Sequence, residues 1–194
     1  MKNDAMKNDA MKNDAMISRW VKWKKRPAAF LDRDGVLNMD HGYVHKVSEF
    51  EWIDGAREAV KFLNDKGYLV LLVTNQSGIG RGYYREADFW QLSGWMRDRL
   101  AESGAHIDGV YFCPHHPTAA KGVLKVDCLC RKPNPGMIEH AQREWNLDME
   151  KSFVIGDTLT DMELANAVNV PGYLFCGGNL LEFVRQLFGS HGCD

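Results

Sequence analysis

The sequence has little of what marks a membrane protein or a nucleic-acid-binding protein. Its 24 Lys and Arg residues are balanced by 26 Asp and Glu residues, for a formal net charge of −2, whereas nucleic-acid-binding domains usually carry a marked basic excess. The longest apolar runs, such as residues 68–73, are far too short to span a bilayer. The N-terminus also lacks the continuous apolar core of a signal peptide. We therefore expect a cytoplasmic protein with neither a nucleic acid nor a membrane as partner.

The chain of 194 residues is long enough for one domain with a single buried core. Residues 1–15 are three copies of Met-Lys-Asn-Asp-Ala, a polar repeat that cannot bury surface and is therefore expected to be disordered. Residues 17–27 are basic and contain Trp20 and Trp23. Because this charge is local, we interpret the stretch as a short arm rather than a membrane or RNA contact. The predicted division is a disordered repeat and basic arm over residues 1–26 and one domain over residues 27–194.

Short apolar runs alternate with stretches of helical periodicity along this domain. The predicted strands are 28–31, 68–73, 109–112, 152–157 and 173–175, and the predicted helices lie between Gly55 and Gly67, over 85–103, after Pro135, and over 161–169 and 180–188. The glycine-rich stretch 74–82 is predicted to be a loop. This alternation predicts an α/β fold with a parallel sheet and helices on both faces. The gaps that follow Gly35 and Cys113 are each about 20 residues, too short for a separate cap domain.

Two carboxylates, Asp32 and Asp34, come directly after the first predicted strand and before Gly35. Residues at i and i+2 of a strand point to the same side, so both acids can reach one volume beyond its carboxyl end, where open α/β sheets bind ligands. Two carboxylates so close repel each other unless a cation or a shared proton relieves the repulsion. The alternative interpretation is an ordinary surface turn.

Other polar groups follow neighbouring strands and would converge on the same edge of the sheet. They are Thr74 and Asn75, Arg131 and Lys132, and Asp157 with Asp161. Carboxylate oxygens suit Mg²⁺, and Mg²⁺ with a lysine suits a phosphoryl group. We assign Asp32 as the nucleophile that would form an aspartyl-phosphate. Asp34 is then the acid that protonates the leaving group and the base that activates water.

A second constellation is formed by Cys113, His115, Cys128 and Cys130. Three thiolates and one imidazole complete a tetrahedral structural zinc site. A disulfide is the alternative, disfavoured by the expected cytosolic setting and by the odd total of five cysteines. His116 is an alternative to His115. The zinc-stabilised loop, residues 113–130, would position the two cations that follow it.

The stretch Phe-Leu-Asp-Arg-Asp-Gly, residues 30–35, resembles the first motif of the haloacid dehalogenase (HAD) superfamily of phosphohydrolases. With the later motifs, residues 27–176 are similar to the D,D-heptose 1,7-bisphosphate phosphatases and the related histidinol-phosphate phosphatases. The same cysteine and histidine pattern marks this branch and favours His115 as the ligand. The resemblance implies a Rossmann-like HAD fold.

The resemblance also implies roles for individual residues. Mg²⁺ would be held by Asp32, by Asp157 and by Asp34 through its backbone carbonyl, while Thr74 and Lys132 would stabilise the phosphoryl oxygens. The implied substrate pocket consists of Asp40, His41, Gly42, Tyr43, Thr74, Asn75, Gln76, Ser77, Arg131 and Lys132. One departure is Thr158, where the heptose phosphatases tend to have a lysine; it bears on one substrate contact and not on the metal site.

The expected activity is removal of the 7-phosphate from D-glycero-D-manno-heptose 1,7-bisphosphate, a small sugar bisphosphate used for lipopolysaccharide or another surface glycan. The chain is expected to act as a monomer with Mg²⁺ and Zn²⁺. Two alternatives stay open: a histidinol-phosphate phosphatase, and a non-catalytic zinc module that binds RNA through the basic arm.

Overall fold

Five parallel strands form one sheet in the computed structural model, which describes residues 24–189. The strand order across the sheet is β3-β2-β1-β4-β5. The strands are β1 (Ala28–Leu31), β2 (Leu69–Asn75), β3 (Gly109–Cys113), β4 (Phe153–Gly156) and β5 (Gly172–Leu174). The first strand is central, so the carboxyl ends of β1, β2 and β4 lie side by side, which is where ligands bind in such sheets. The predicted repeat, residues 1–15, lies outside the described residues.

The helices connect the strands as the alternation predicts. They are α1 (Ala56–Asp65), α2 (Ser77–Arg81), α3 (Glu86–Ala101), α4 (Gly136–Glu144), α5 (Leu159–Ala167) and α6 (Leu180–Gly189). Short 3-10 turns occupy Val47–Glu49, Gly122–Leu124 and Met149–Lys151. The segments after β1 and β3 hold only the first two of these turns, so within residues 24–189 no cap domain covers the sheet edge.

The short helix α2 corrects the prediction of a loop over residues 74–82. Gly78 and Gly80 lie inside this helix, and both are needed for close packing. A Cβ atom on Gly78 would lie 2.2 Å from the Tyr84 ring, and one on Gly80 would lie 2.4 Å from the Pro114 carbonyl oxygen. The glycines that indicated a loop therefore allow α2 to pack against its neighbours.

Both faces of the sheet are buried, which confirms the predicted layering. In β1, Ala29 and Leu31 belong to a core with α1, α3 and α6, whereas Ala28 and Phe30 belong to a second core with α4 and α5. All four side chains are fully buried. Burial on both faces explains why β1, β2 and β4 are largely continuous apolar runs.

Backbone hydrogen bonds to the rest of the domain begin at Arg26, just before the predicted domain boundary at residue 27. The Arg26 amide donates to the Asn146 carbonyl at 3.0 Å, and the Arg26 carbonyl accepts from the Asp148 amide at 2.8 Å. Among residues 24–189, no helix combines the length and apolar character needed to cross a membrane.

Candidate active site

A lysine and three carboxylates meet at the carboxyl edge of the sheet. Asp32 follows β1, Asp157 follows β4, and Asp161 lies in the first turn of α5; one oxygen of each lies within 4.8 Å of the others. The Lys132 ammonium lies 2.7 Å from Asp32 Oδ2 and 2.6 Å from Asp161 Oδ1. The structure therefore brings together the groups that the sequence places after separate strands.

Burial governs the electrostatics of this cluster. Burial raises the pKa of Asp32 to about 6, although the positive charge of Lys132 acts to lower it. Burial disfavours the Lys132 ammonium, but Asp32 and Asp161 outweigh this effect and raise the pKa of Lys132. Burial also raises the pKa of Asp157. The cluster concentrates negative charge that one lysine does not fully neutralise, and its oxygen donors fit Mg²⁺.

Asp161 has a role beyond adding negative charge. It is fully buried, and while Oδ1 contacts Lys132, Oδ2 accepts hydrogen bonds from the Thr158 amide and hydroxyl at 3.2 and 2.6 Å. The bond from the Thr158 amide is one half of a capping box at the start of α5, and the Asp161 amide donating to the Thr158 side chain is the other half. Asp161 thus holds the ammonium of Lys132 from the first turn of α5. The Thr-x-x-Asp spacing of residues 158–161 is the sequence signal for this capping role of Asp161.

The Asp34 side chain lies beside this cluster and is held separately. Arg33 donates to both of its oxygens, through Nε at 3.2 Å and Nη2 at 2.9 and 2.8 Å, and Asn38 Nδ2 donates at 3.0 Å. Arg33 is only 1% exposed, and it also donates to the Val44 carbonyl at 2.6 Å. The sequence analysis did not predict that Arg33 and Asn38 would bind the Asp34 side chain. An arginine between two acids was the available signal.

The last residues of β2 and Gln76, which follows them, connect groups of the site by hydrogen bonds. Thr74 and Gln76 are buried, and Gln76 Nε2 donates to Thr74 Oγ1 at 2.9 Å. Asn75 donates to the Lys132 carbonyl at 3.2 Å and accepts from the Lys132 amide at 3.1 Å. Asn75 therefore holds the backbone of Lys132 to β2, and Ser77 begins α2.

The loop that follows β1, from Asp40 to Tyr43, is exposed at the rim of this edge. Asp40 Oδ1 accepts from the Gly42 amide at 2.8 Å, and its charge contributes to the raised pKa of Asp157, after burial. His41 lies 3.2 Å from Glu51. The Tyr43 ring lies 4.8 Å from the Tyr83 ring and 5.7 Å from the Arg81 guanidinium.

The four predicted zinc ligands converge beside the active site. The three Sγ–Sγ distances among Cys113, Cys128 and Cys130 are 3.2–3.4 Å, and His115 Nδ1 lies 3.6 Å from Cys113 and 3.3 Å from Cys130. These distances exceed the disulfide bond length of about 2.05 Å. They are close to the edges of a tetrahedron with bonds of about 2.0–2.3 Å. His116 is not in the cluster, because its Nδ1 accepts from the Thr118 and Ala119 amides.

Two guanidinium groups lie near His116 at the rim. Arg131 Nη1 donates to the His115 carbonyl at 3.2 Å. Burial and the charges of Arg131 and Arg81 lower the pKa of His116. Neither arginine has a carboxylate within ion-pair distance among residues 24–189. The sequence assigned Arg131 but missed Arg81.

Known proteins are similar to this chain in sequence and in fold. A sequence profile of the HAD-hydrolase-like family matches residues 129–180. The D-glycero-beta-D-manno-heptose-1,7-bisphosphate 7-phosphatase of Photorhabdus laumondii subsp. laumondii is 53% identical over 144 residues, which cover 74% of this chain and 77% of the relative. The enzyme of the same name from Rhodopseudomonas palustris is 46% identical over 163 residues, covering 84% and 91% of the two chains.

A solved structure is also similar to this chain in fold. The D,D-heptose 1,7-bisphosphate phosphatase from B. bronchiseptica, complexed with magnesium and phosphate, superposes with a TM-score of 0.71 at 31% identity, covering 87% of this chain and 88% of that one. The fold and site define a HAD-type phosphoric monoester hydrolase. Within that class, the chain belongs to the D-glycero-beta-D-manno-heptose-1,7-bisphosphate 7-phosphatase family. The resemblance is confirmed, and the histidinol-phosphate alternative is not favoured.

Proposed function

We propose that this protein is a Mg²⁺-dependent phosphatase that removes the 7-phosphate of D-glycero-β-D-manno-heptose 1,7-bisphosphate. The observation that carries the proposal is the contact of Lys132 with Asp32, because it places a buried cation against the proposed nucleophile at the carboxyl edge of the sheet. The names of the relatives supply the substrate and its β anomer.

The proposed chemistry has two steps. In the first, an Asp32 oxygen attacks the 7-phosphorus, the bond from phosphorus to the sugar oxygen breaks, and Asp34 donates its proton to the leaving alkoxide. In the second, water attacks the aspartyl-phosphate and gives a proton to Asp34, which releases phosphate and restores Asp32. Lys132 and the Thr74 hydroxyl bind the phosphoryl oxygens during both steps.

The metal ions have separate roles in this proposal. Asp32, Asp157 and the Asp34 backbone carbonyl would hold Mg²⁺, which neutralises phosphoryl oxygen charge when bound. The cysteine and histidine cluster would hold Zn²⁺ as a closed structural site. Arg131 directly follows the zinc ligand Cys130, so the zinc site fixes the start of the segment that delivers Lys132.

The rim supplies groups for the remainder of the substrate. Arg131 and Arg81 present guanidinium groups suited to phosphate or hydroxyl oxygens, and neither forms an ion pair with a carboxylate of residues 24–189. Tyr43 offers a ring 42% exposed that can cover a sugar, and Asp40 can accept from hydroxyl groups. A sugar bisphosphate therefore suits this rim better than histidinol phosphate, which presents an imidazole and a primary amine.

Phosphate release measured with both heptose 1,7-bisphosphate anomers and with histidinol phosphate tests this function. We expect kcat/KM for the β-bisphosphate to exceed that for histidinol phosphate by at least about 10²-fold, since polar groups of the site would otherwise stay unpaired. Arg131→Ala should reduce this preference, whereas Lys132→Ala should slow hydrolysis of every substrate. Asp32→Asn, expected to lose roughly 10⁴-fold in turnover, or about 5.5 kcal/mol in barrier, is the control for contaminating phosphatases. Equal rates on the two substrate classes would contradict the proposal.

The remaining expectations stay predictions. They are action as a monomer, a cytoplasmic location, a place in surface-glycan synthesis, and the absence of nucleic-acid and membrane partners. The RNA-binding alternative depends on the arm, most of which lies outside the described residues.

A further inference from the structure

We propose that Gln76 is a positioning residue that ties Thr74 to Asp34 and is itself oriented by Tyr84. The inference rests on the proposed function, in which the Thr74 hydroxyl binds a phosphoryl oxygen and Asp34 transfers the proton. It gives Gln76 a role different from the substrate contact that the family resemblance implies.

The Gln76 side chain is paired at both ends. Nε2 lies 3.0 Å from Asp34 Oδ2 and 2.9 Å from Thr74 Oγ1, and Oε1 accepts from the Tyr84 hydroxyl at 2.5 Å. Gln76 is only 2% exposed. Both protons of the amide nitrogen are therefore committed to the two reacting residues, and little of the side chain is available to a substrate.

Hydrogen bonds at both ends set which way this amide faces. Arg33 donates to both oxygens of Asp34, Gln76 Nε2 donates to Asp34 Oδ2 as well, and Gln76 Oε1 therefore faces the opposite side. Tyr84 occupies that opposite side as a donor, and burial raises its pKa to about 12, so the hydroxyl keeps its proton. Asp34 and Tyr84 thus favour the same amide orientation from its two ends.

This orientation has a consequence for Thr74. Its Oγ1 accepts the hydrogen bond from Gln76, which leaves the hydroxyl proton free to be donated elsewhere. In the proposed mechanism the acceptor is a phosphoryl oxygen. Gln76 therefore helps Arg33 and Asn38 to hold Asp34, and it sets the direction in which Thr74 donates.

The packing around Tyr84 is built to hold its hydroxyl at this point. The ring is 7% exposed and stacks on His45, with ring centroids 4.8 Å apart and planes 6° from parallel. Its other neighbour is Gly78, where a Cβ atom would lie 2.2 Å from the ring. Glycine at position 78 is what admits the Tyr84 ring beneath α2.

The test compares Gln76→Met and Tyr84→Phe with the wild type on two substrates, heptose 1,7-bisphosphate and p-nitrophenyl phosphate, which share only the phosphoryl group. A positioning role predicts that kcat of Gln76→Met falls roughly 10–100-fold on both substrates while KM changes less than about threefold, because displacements near 1 Å can cost that much. Tyr84→Phe, which removes one oxygen, should shift kcat in the same direction by a smaller factor.

Tyr111→Phe is the matched control. Tyr111 is 6% exposed, and its hydroxyl donates to Glu144 at 2.5 Å and accepts from Trp145 Nε1 at 2.9 Å, so this variant also loses the hydrogen bonds of a buried tyrosine hydroxyl. It should lose comparable thermal stability and keep its kcat. If kcat falls equally in Tyr111→Phe and in Tyr84→Phe, general destabilisation explains the loss of kcat in Tyr84→Phe, and the inference is overturned.

The outcomes separate the inference from the proposed function. Higher KM for the heptose with unchanged kcat and unchanged p-nitrophenyl phosphate hydrolysis would make Gln76 a substrate contact and overturn the positioning role. If the wild type hydrolyses p-nitrophenyl phosphate but not heptose 1,7-bisphosphate, the proposed substrate is wrong. The kcat of the variants on p-nitrophenyl phosphate still decides the role of Gln76. Should Gln76→Met not fold, Tyr84→Phe with its control decides alone.

Discussion

Lys132 is a buried cation between two carboxylates, and its surroundings show how the site keeps this charge inside the protein. Its side chain is 2% exposed, and those of Asp32 and Asp161 are 13% and 0% exposed. Moving an isolated ammonium into such an interior is costly, and the two short ion pairs offset that cost. In the proposed mechanism Asp32 carries the phosphoryl group, and Asp161 would then be the carboxylate that still balances the charge of Lys132.

Asp161→Asn tests this balance at the scale of one residue. Removing one partner of a buried pair is expected to lower the free energy of unfolding by about 3–5 kcal/mol, since the remaining charge is left uncompensated. Urea denaturation measures the loss, and kcat should fall on every substrate. Asp65→Asn is the control: its ion pair with Lys61 has a similar length of 2.8 Å but is exposed, so at most about 0.5 kcal/mol should be lost. Equal losses in both variants would contradict the account.

At the scale of elements, the zinc loop and α2 pack as one support for the active site. The Lys121 amide donates to the Gly80 carbonyl at 2.8 Å, and the Gly80 backbone lies against Pro114. The loop then leads through Cys130 and Arg131 to Lys132. A loop of this length with one 3-10 turn has few bonds of its own to fix it. Metal binding and ordering of the loop are therefore expected to be one free energy.

Cys128→Ser should lower zinc content and melting temperature together, and it should reduce kcat because Lys132 loses its support. The purified protein should carry about one zinc per chain, measured by elemental analysis. Cys176→Ser is the control, because Cys176 is exposed and lies outside the cluster. A wild-type protein without zinc, or one whose cluster thiols are disulfide-bonded, would rule the site out.

The sequence predicted the elements best where one signal dominates. The buried strands are continuous apolar runs, and their carboxyl ends in a parallel sheet had to bring Asp32, Thr74 and Asp157 to one edge. The short helix α2 was missed because Gly78 was interpreted through its conformational freedom, whereas its role is to leave space for Tyr84.

The pairings within the site could not be predicted in the same way. Whether Gln76 faces the substrate or Asp34 depends on side-chain directions that sequence spacing does not fix. The same holds for Arg33, whose Nη2 donates to the neighbouring Asp34 at 2.8 Å.

At the scale of the whole molecule, the question is how much of the chain the catalytic domain needs. A variant beginning at Lys24 keeps the backbone bonds of Arg26 to Asn146 and Asp148, whereas one beginning at Ala28 loses them. We expect the first to match the full chain in kcat/KM within about twofold. The second also loses the bond from the Leu69 amide to the Pro27 carbonyl. It should lose about 1.5–4.5 kcal/mol of unfolding free energy, because three backbone hydrogen bonds contribute roughly 0.5–1.5 kcal/mol each.

The same pair of variants decides whether the N-terminal arm carries a function of its own. If the protein is the proposed phosphatase, removal of residues 1–23 leaves heptose bisphosphate hydrolysis intact, because no described contact of the active site involves them. If instead the arm binds RNA, the full chain should show salt-dependent RNA binding that the Lys24 variant lacks, since phosphate contacts release counterions. Loss of hydrolysis in the Lys24 variant with an unchanged melting temperature would show that the arm contributes to the active site, and the boundary placed after residue 26 would then be wrong.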